Sequence, residues 1–287
     1  NYLVGNQLLQ NHVANFNFAS TTADQQVRML NTKLSTYNAG RSLFNNIPTE
    51  GNIVSSNGAL HMLKGQSPFI YNIYDYLATN QNFTELWAVV SDPKVDKREW
   101  SQNASTPGAM DENGKMVYID SVFTHSNLFF DASHASLKDE DSTYVAILPA
   151  NGAVDAAIQK VAQLYSYGNS YNTSFSTNTG DFINKGSKGI QFTAAQVDSL
   201  RLLNAKKALL TSAYFSTTNW PIANKRDSAQ INHYAQTADS LRSTTDAIYY
   251  NSNRGGINPM FNGQAPVKAS NGYIYALKDY VVDPAYT

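Results

Sequence analysis

No cysteine occurs in the 287-residue chain, which removes disulfides, thiolate metal sites and cysteine nucleophiles together. Charge is scarce too. Asp, Glu, Lys and Arg make up 15% of the residues, against about 25% in an average soluble protein. With a formal net charge of -1, the chain carries no electrostatic footprint for nucleic acid or an anionic membrane surface. No run approaches the roughly 18 apolar residues of a membrane span, and the first residues lack the basic, apolar and small-residue layout of a secretory signal. An exported form is therefore expected to have lost its targeting segment. Missing as well are a Gly-x-Ser-x-Gly elbow, a phosphate loop and a dinucleotide fingerprint, and the glycines at 186 and 189 have neither a strand before them nor Lys-Ser/Thr after. The chain is expected not to be an enzyme and to need neither cofactor nor metal.

What fills the deficit is Asn, Ser, Thr and 18 Tyr, a composition suited to contact with proteins, sugars or the cell exterior. One stretch occurs twice: Ser56-Asn57-Gly58-Ala59-Leu60-His61-Met62-Leu63-Lys64 and Ser270-Asn271-Gly272-Tyr273-Ile274-Tyr275-Ala276-Leu277-Lys278. Each reads as a turn whose Asn-Gly supplies positive φ, followed by a strand. The partial alternation over 27 to 36 predicts one half-buried strand, and the run Tyr144 to Leu148 a fully buried one. Apolar spacing predicts helices over 70 to 77 and 83 to 90, with Asn82 a candidate cap for the second. It predicts others over 153 to 161, capped by Asn151, over 197 to 210, and over 235 to 249. Residues 92 to 116, with Pro93, Pro107, Gly108 and Gly114, read as loop, and 165 to 189 as an irregular insertion.

The string Tyr144-Val145-Ala146-Ile147-Leu148-Pro149-Ala150-Asn151-Gly152-Ala153-Val154 resembles the first box of fasciclin domains, in which a strand turns through Pro-Thr-Asn into a helix; Pro149, Asn151 and Ala153 match it. Both Ser-Asn-Gly stretches resemble the second box, with His61 at its histidine and Tyr275 in that place in the second copy. Leu8-Leu9-Gln10-Asn11-His12 resembles the family's Leu-Leu-x-Tyr-His segment with Asn for Tyr, while Leu209-Leu210-Thr211-Ser212-Ala213 has lost it. The Leu-Leu segments lie 201 residues apart and the Asn-Gly pairs 214 apart, so the order of landmarks is kept. The resemblance implies an α+β fold, a fasciclin-like β-sandwich or wedge with packed helices, in two tandem copies. Residues 1–78 would be the C-terminal part of an incomplete first domain, and 79–287 a second domain with long insertions. It further implies a non-catalytic adhesion or matrix-binding module of the cell surface. The abundance of Asn and the extended loops resemble the exported lipoproteins of Bacteroidetes-type bacteria, with contact to the outer membrane only through a removed N-terminal lipid anchor. The alternative is a glycan-binding surface lipoprotein of a polysaccharide-capture system.

Histidines and carboxylates offer chemistry only if they meet in space. His12 and His61 read as hydrogen-bonded histidines that hold a strand or turn. His125 and His134, with Asp131 between them, match no compact metal spacing and read as surface loop; His233 stands alone. Asp139-Glu140-Asp141 reads as a solvated turn rather than a cation site. The aromatic rings of the insertions carry more weight. Tyr165, Tyr167, Tyr171, Phe175 and Tyr249-Tyr250, flanked by Asn172 and Asn251, offer flat apolar faces beside hydrogen-bonding groups. Long loops on a packed scaffold gather binding residues, so Tyr167, Tyr171, Tyr250, Asn172 and Asn251 are the candidate ligand contacts, for an extracellular protein or glycan. His12 joins them as the family's recognition histidine.

Overall fold

A computed structural model describes residues 12–15, 25–30, 34–38, 40–67, 70–168, 171–176, 178, 181–189, 191–225, 227–250 and 265–278. The chain is α+β, with short helices and several small sheets that are mostly antiparallel. Its first elements are five strands, β1 (Gln25–Arg28), β2 (Leu34–Asn38), β3 (Leu43–Phe44), β4 (Ile47–Ser55) and β5 (Gly58–Leu63), in one antiparallel sheet ordered as in the chain. Asn45 and Asn46 take φ of 48° and 65°, the paired positive values of a two-residue hairpin turn that Asn tolerates. The single strand expected over 27 to 36 is thus two strands, Val27 pairing back onto Ser35. Val27, Met29 and Tyr37 form a small core of their own, with Ala14 and Phe44 packed against it.

The larger part begins with α1 (Ile73–Thr79), a 3₁₀ turn (Gln81–Phe83) and α2 (Thr84–Val90). Four strands follow, β6 (Asp96–Trp100), β7 (Thr106–Met110), β8 (Met116–Asp120) and β9 (Phe123–Asn127). Then come α3 (Leu128–Ala132), β10 (Tyr144–Pro149), α4 (Val154–Ala162), β11 (Tyr171–Ser176), β12 (Asp181–Lys188), α5 (Ala194–Thr211) and β13 (Tyr214–Ser216). The last elements are α6 (Ser228–Thr237), β14 (Ser240–Arg242), β15 (Ile248–Tyr250), β16 (Val267–Ala269) and β17 (Gly272–Leu277). The central sheet runs β13-β10-β17-β16, with β10 and β17 parallel and the outer pairs antiparallel. Every residue of β10 is buried, as a strand covered on both faces requires. Ile73 and Leu77 of α1, Leu86 and Val90 of α2, Ile158 of α4, Leu209 and Leu210 of α5 and Ile231 of α6 close over it in one core. Helix α1, assigned by sequence to residues 1–78, therefore packs with the larger part.

Three segments differ from their sequence reading. Within residues 92 to 116, expected as loop, 96 to 100 and 106 to 110 are the two rising strands of an arm in which β6 pairs with β9 and β7 with β8. Residues 171 to 188 form the β11–β12 hairpin rather than an irregular insertion. The helix expected to run to Tyr249 ends at Thr237, and β14 and β15 complete the stretch as a hairpin whose turn holds Asp246 at φ 65°.

The two Asn-Gly stretches are alike locally and unlike in their surroundings. Each stands at a tight hairpin, Ser55 pairing with Gly58 and Ala269 with Gly272. Strand β5 lies at the sheet edge with residues alternately exposed and half-buried, whereas β17 sits between β10 and β16. Neither Asn57 nor Gly58 takes positive φ, contrary to the expected turn, while Gly272 does, at 154°. Asn271 is 1% exposed. Its Oδ1 accepts from the Ile73 N–H at the start of α1 (2.9 Å), and its Nδ2 donates to the Leu137 and Asp139 carbonyls (2.8 and 2.9 Å).

Asn151 also serves a distant element. It does not cap α4, whose first turn follows Ala153 without a side-chain cap. Its Oδ1 instead accepts from the Glu85 N–H (3.1 Å) in the first turn of α2, and its Nδ2 donates to Thr84 Oγ1 (2.9 Å) and the Gln81 carbonyl (2.7 Å). Asn82 therefore does not cap α2. Losing a cap of this kind costs about 1 kcal/mol, so Asn151→Ala is expected to lower the melting temperature by about 2–4 °C. Calorimetry checks this, and an unchanged melting point would mean that water replaces the side chain.

Candidate functional site

A groove of about 470 Å³ opens in the small β unit, lined by His12, Tyr37, Phe44, Leu60, His61 and Leu63 among others. It exists because the sheet curls. Strands β2 and β5 are separated by β3 and β4, yet the Tyr37 and His61 rings meet with centroids 5.1 Å apart at 52°. Strand β3 is only two residues long, which lets the hairpins on either side fold toward each other. The alternation of β5 turns Ala59, His61 and Leu63 inward. The described lining contains no Asp, Glu, Lys or Arg. Such a surface suits an uncharged apolar group, with the polar ring nitrogens of His12 and His61 beside it.

Of the residues singled out by sequence, the structure brings His12 and His61 to this groove. Tyr167 and Tyr250 do not line it. Tyr167 is half-buried against α5, its hydroxyl accepting from Asn204 Nδ2 and its ring edge-on to Phe192 at 6.4 Å. Tyr250 closes β15 opposite Ser240, and its neighbour Tyr249 packs on Phe215 (5.4 Å) with its hydroxyl 2.8 Å from Ser212 Oγ. Tyr171 and Asn172 open β11, where Tyr171 faces Lys188; their side chains, and Asn251 entirely, lie outside the described residues, as do Leu8 to Asn11.

The other chemical candidates are absorbed by structure. His125 stands on β9 with Nε2 2.9 Å from Asp96 Oδ1, and Asp131 accepts from the Asn127 N–H (2.8 Å) at the start of α3. Among the described residues, no group of three or more His, Asp or Glu is placed to hold a metal ion. The Asp139-Glu140-Asp141 turn is solvated only in part, with Asp141 exposed as expected and Glu140 not. Glu140 is buried and accepts from Ser270 Oγ (2.6 Å), while Asp141 pairs with Arg28 of β1 and so ties the small sheet to the larger part. Several phenols are shielded. Burial, with Asp96 and Asp75 nearby, pushes Tyr74 up to about 12, and burial also raises Tyr214 and Tyr275; these hydroxyls stay neutral at physiological pH and poorly suited to acid–base work.

Sequence reasoning missed the arm of β6 to β9. Trp100 and Tyr118 meet edge-on at 4.8 Å, and the Arg98 guanidinium lies 4.2 Å over the Phe123 ring, while Trp100, Met110, Val117, Ile119 and Phe123 remain exposed. The available signal was the short β-prone run Met116 to Ile119 after the Asp111-Glu112-Asn113-Gly114 turn. Compared with known proteins, the chain matches no family model, no curated protein and no solved structure. No described helix is long and apolar enough to cross a membrane.

Proposed function

We propose that the chain is a non-catalytic binding module of the cell exterior, fasciclin-like in its larger part, whose small β unit grips an uncharged segment of an extracellular matrix protein. The observation that carries this reading is the curled groove, with its apolar floor, two histidines and no charged side chain in the described lining. The low charge and the wealth of Asn, Ser, Thr and Tyr support it as a surface adapted to neutral partners. A glycan is the second reading, favoured by the exposed ring of Trp100 held edge-on by Tyr118.

The two readings separate in one screen of the full chain against coated collagen, fibronectin and laminin beside a glycan array. The expected result is retention on a matrix protein, weakened at least about tenfold by His61→Ala combined with Leu63→Ser, the size of a central contact, with the melting temperature kept. Binding to glycans alone, abolished by Trp100→Ala and indifferent to the groove changes, would replace the first reading with the second.

A further inference from the structure

The arm spanning 96 to 127 is a two-stranded ribbon whose residues are exposed or half-buried along β6, β7 and β8, and along β9 up to Asn127. Ribbons of two strands are marginal in water and gain stability from a third. Its edges are not alike. Strand β6 sets Asp96, Lys97, Arg98 and Glu99 in a row, and β7 carries Pro107; charge and proline are devices that block edge pairing. On the other side, β8 presents Met116, Val117, Tyr118 and Ile119 with no charge between Lys115 and Asp120. Val117 and Ile119 are 51% and 79% exposed. The Lys115 carbonyl accepts from the Asp111 N–H (2.8 Å) and the Val117 carbonyl faces Gly108, so both point toward β7. Met116 and Tyr118 then turn their N–H and C=O groups to the open edge.

We propose that this edge pairs antiparallel with β8 of a second copy of the chain, about a two-fold axis through Tyr118, joining two ribbons into a four-stranded sheet. The strand is complementary to itself in that register. Val117 faces Ile119 of the second copy, Met116 faces Asp120 and Lys115 faces Ser121, so β-branched side chains pair and no like charges meet. The same operation on β6, centred between Lys97 and Arg98, sets Lys97 against Arg98 and Asp96 against Glu99, which repels.

Sedimentation velocity over a wide concentration range tests the pairing on the full chain. A monomer–dimer equilibrium is expected. Val117→Lys with Ile119→Lys puts lysines opposite each other across the axis and should raise the dimer dissociation constant at least about tenfold. Val117→Lys with Ile119→Glu puts opposite charges there and should restore association. Both positions are exposed, so both variants should melt with the native chain. A readout independent of any variant is amide exchange, which should slow at Met116 and Tyr118, and not at Val117, as concentration rises. A native chain that stays monomeric throughout, a dimer indifferent to the lysine pair, a lysine–glutamate pair that fails to rescue, or protection confined to β6 and β7 each overturns the proposal.

Discussion

Gly272→Ala is expected to cost more than about 4 kcal/mol, the range reached only by gross steric or burial faults, and to lower the melting temperature by at least about 10 °C. A Cβ at that position would stand 1.9 Å from the Tyr144 carbonyl oxygen, 2.8 Å from its carbon and 3.0 Å from its nitrogen. All three are backbone atoms of β10, which cannot rotate away. Gly272 pairs with Tyr144 at the start of the parallel β10–β17 ladder, so relief requires displacing the two inner strands of the central sheet. The φ of 154° adds strain for any L side chain. Gly58 occupies the same place in the first stretch, yet a Cβ there meets nothing within 4 Å, so Gly58→Ala should stay within about 0.5 kcal/mol. Thermal unfolding of both variants measures the contrast; equal losses would mean that the two stretches share one environment.

Asn271→Ala is the second large effect. The change strands the Ile73 N–H and the Leu137 and Asp139 carbonyls, which no neighbouring side chain replaces in this buried corner. At about 1–3 kcal/mol for each buried polar group left unsatisfied, with partial relief by water, a loss of about 3–5 kcal/mol follows. The defect should spread, because the Ser270 N–H donates to the Tyr71 carbonyl and the Asn271 carbonyl accepts from the Tyr144 N–H, so one turn ties α1, the 137–139 segment and β10 together. Denaturant unfolding should show the loss together with faster amide exchange in α1. Asn57→Ala removes only an exposed contact with Ser55 Oγ and should leave both unchanged.

These paired residues show where the sequence speaks and where it stops. Strand β10 was legible because a strand covered on both faces must be a continuous apolar run. Helices α1, α2 and α5 were legible from their spacing. The two Asn-Gly stretches were legible as a turn followed by a strand, but pairing and burial are decided by neighbours supplied from elsewhere: β10 and β16 enclose β17, while among the described strands β5 pairs only with β4. Asn151 looked like the cap of the helix beside it and serves a helix 66 residues away, a partnership that no local pattern encodes. The arm was hidden because strands exposed on both faces lose the apolar alternation that betrays a half-buried one, and because Pro107 and the glycines punctuate it. Of the site, His12 and His61 were both noticed, but their meeting depends on the curl that sets Tyr37 against His61.

Binding in the curled groove can be read by amide exchange on the full chain, with and without the matrix protein that it retains in the coated screen. Exchange should slow at Ala59, His61 and Leu63 of β5 and along β1, with β11 and β15 unchanged. Slowed exchange around Tyr171 and Tyr250, with β5 exchanging as in the free chain, would contradict it.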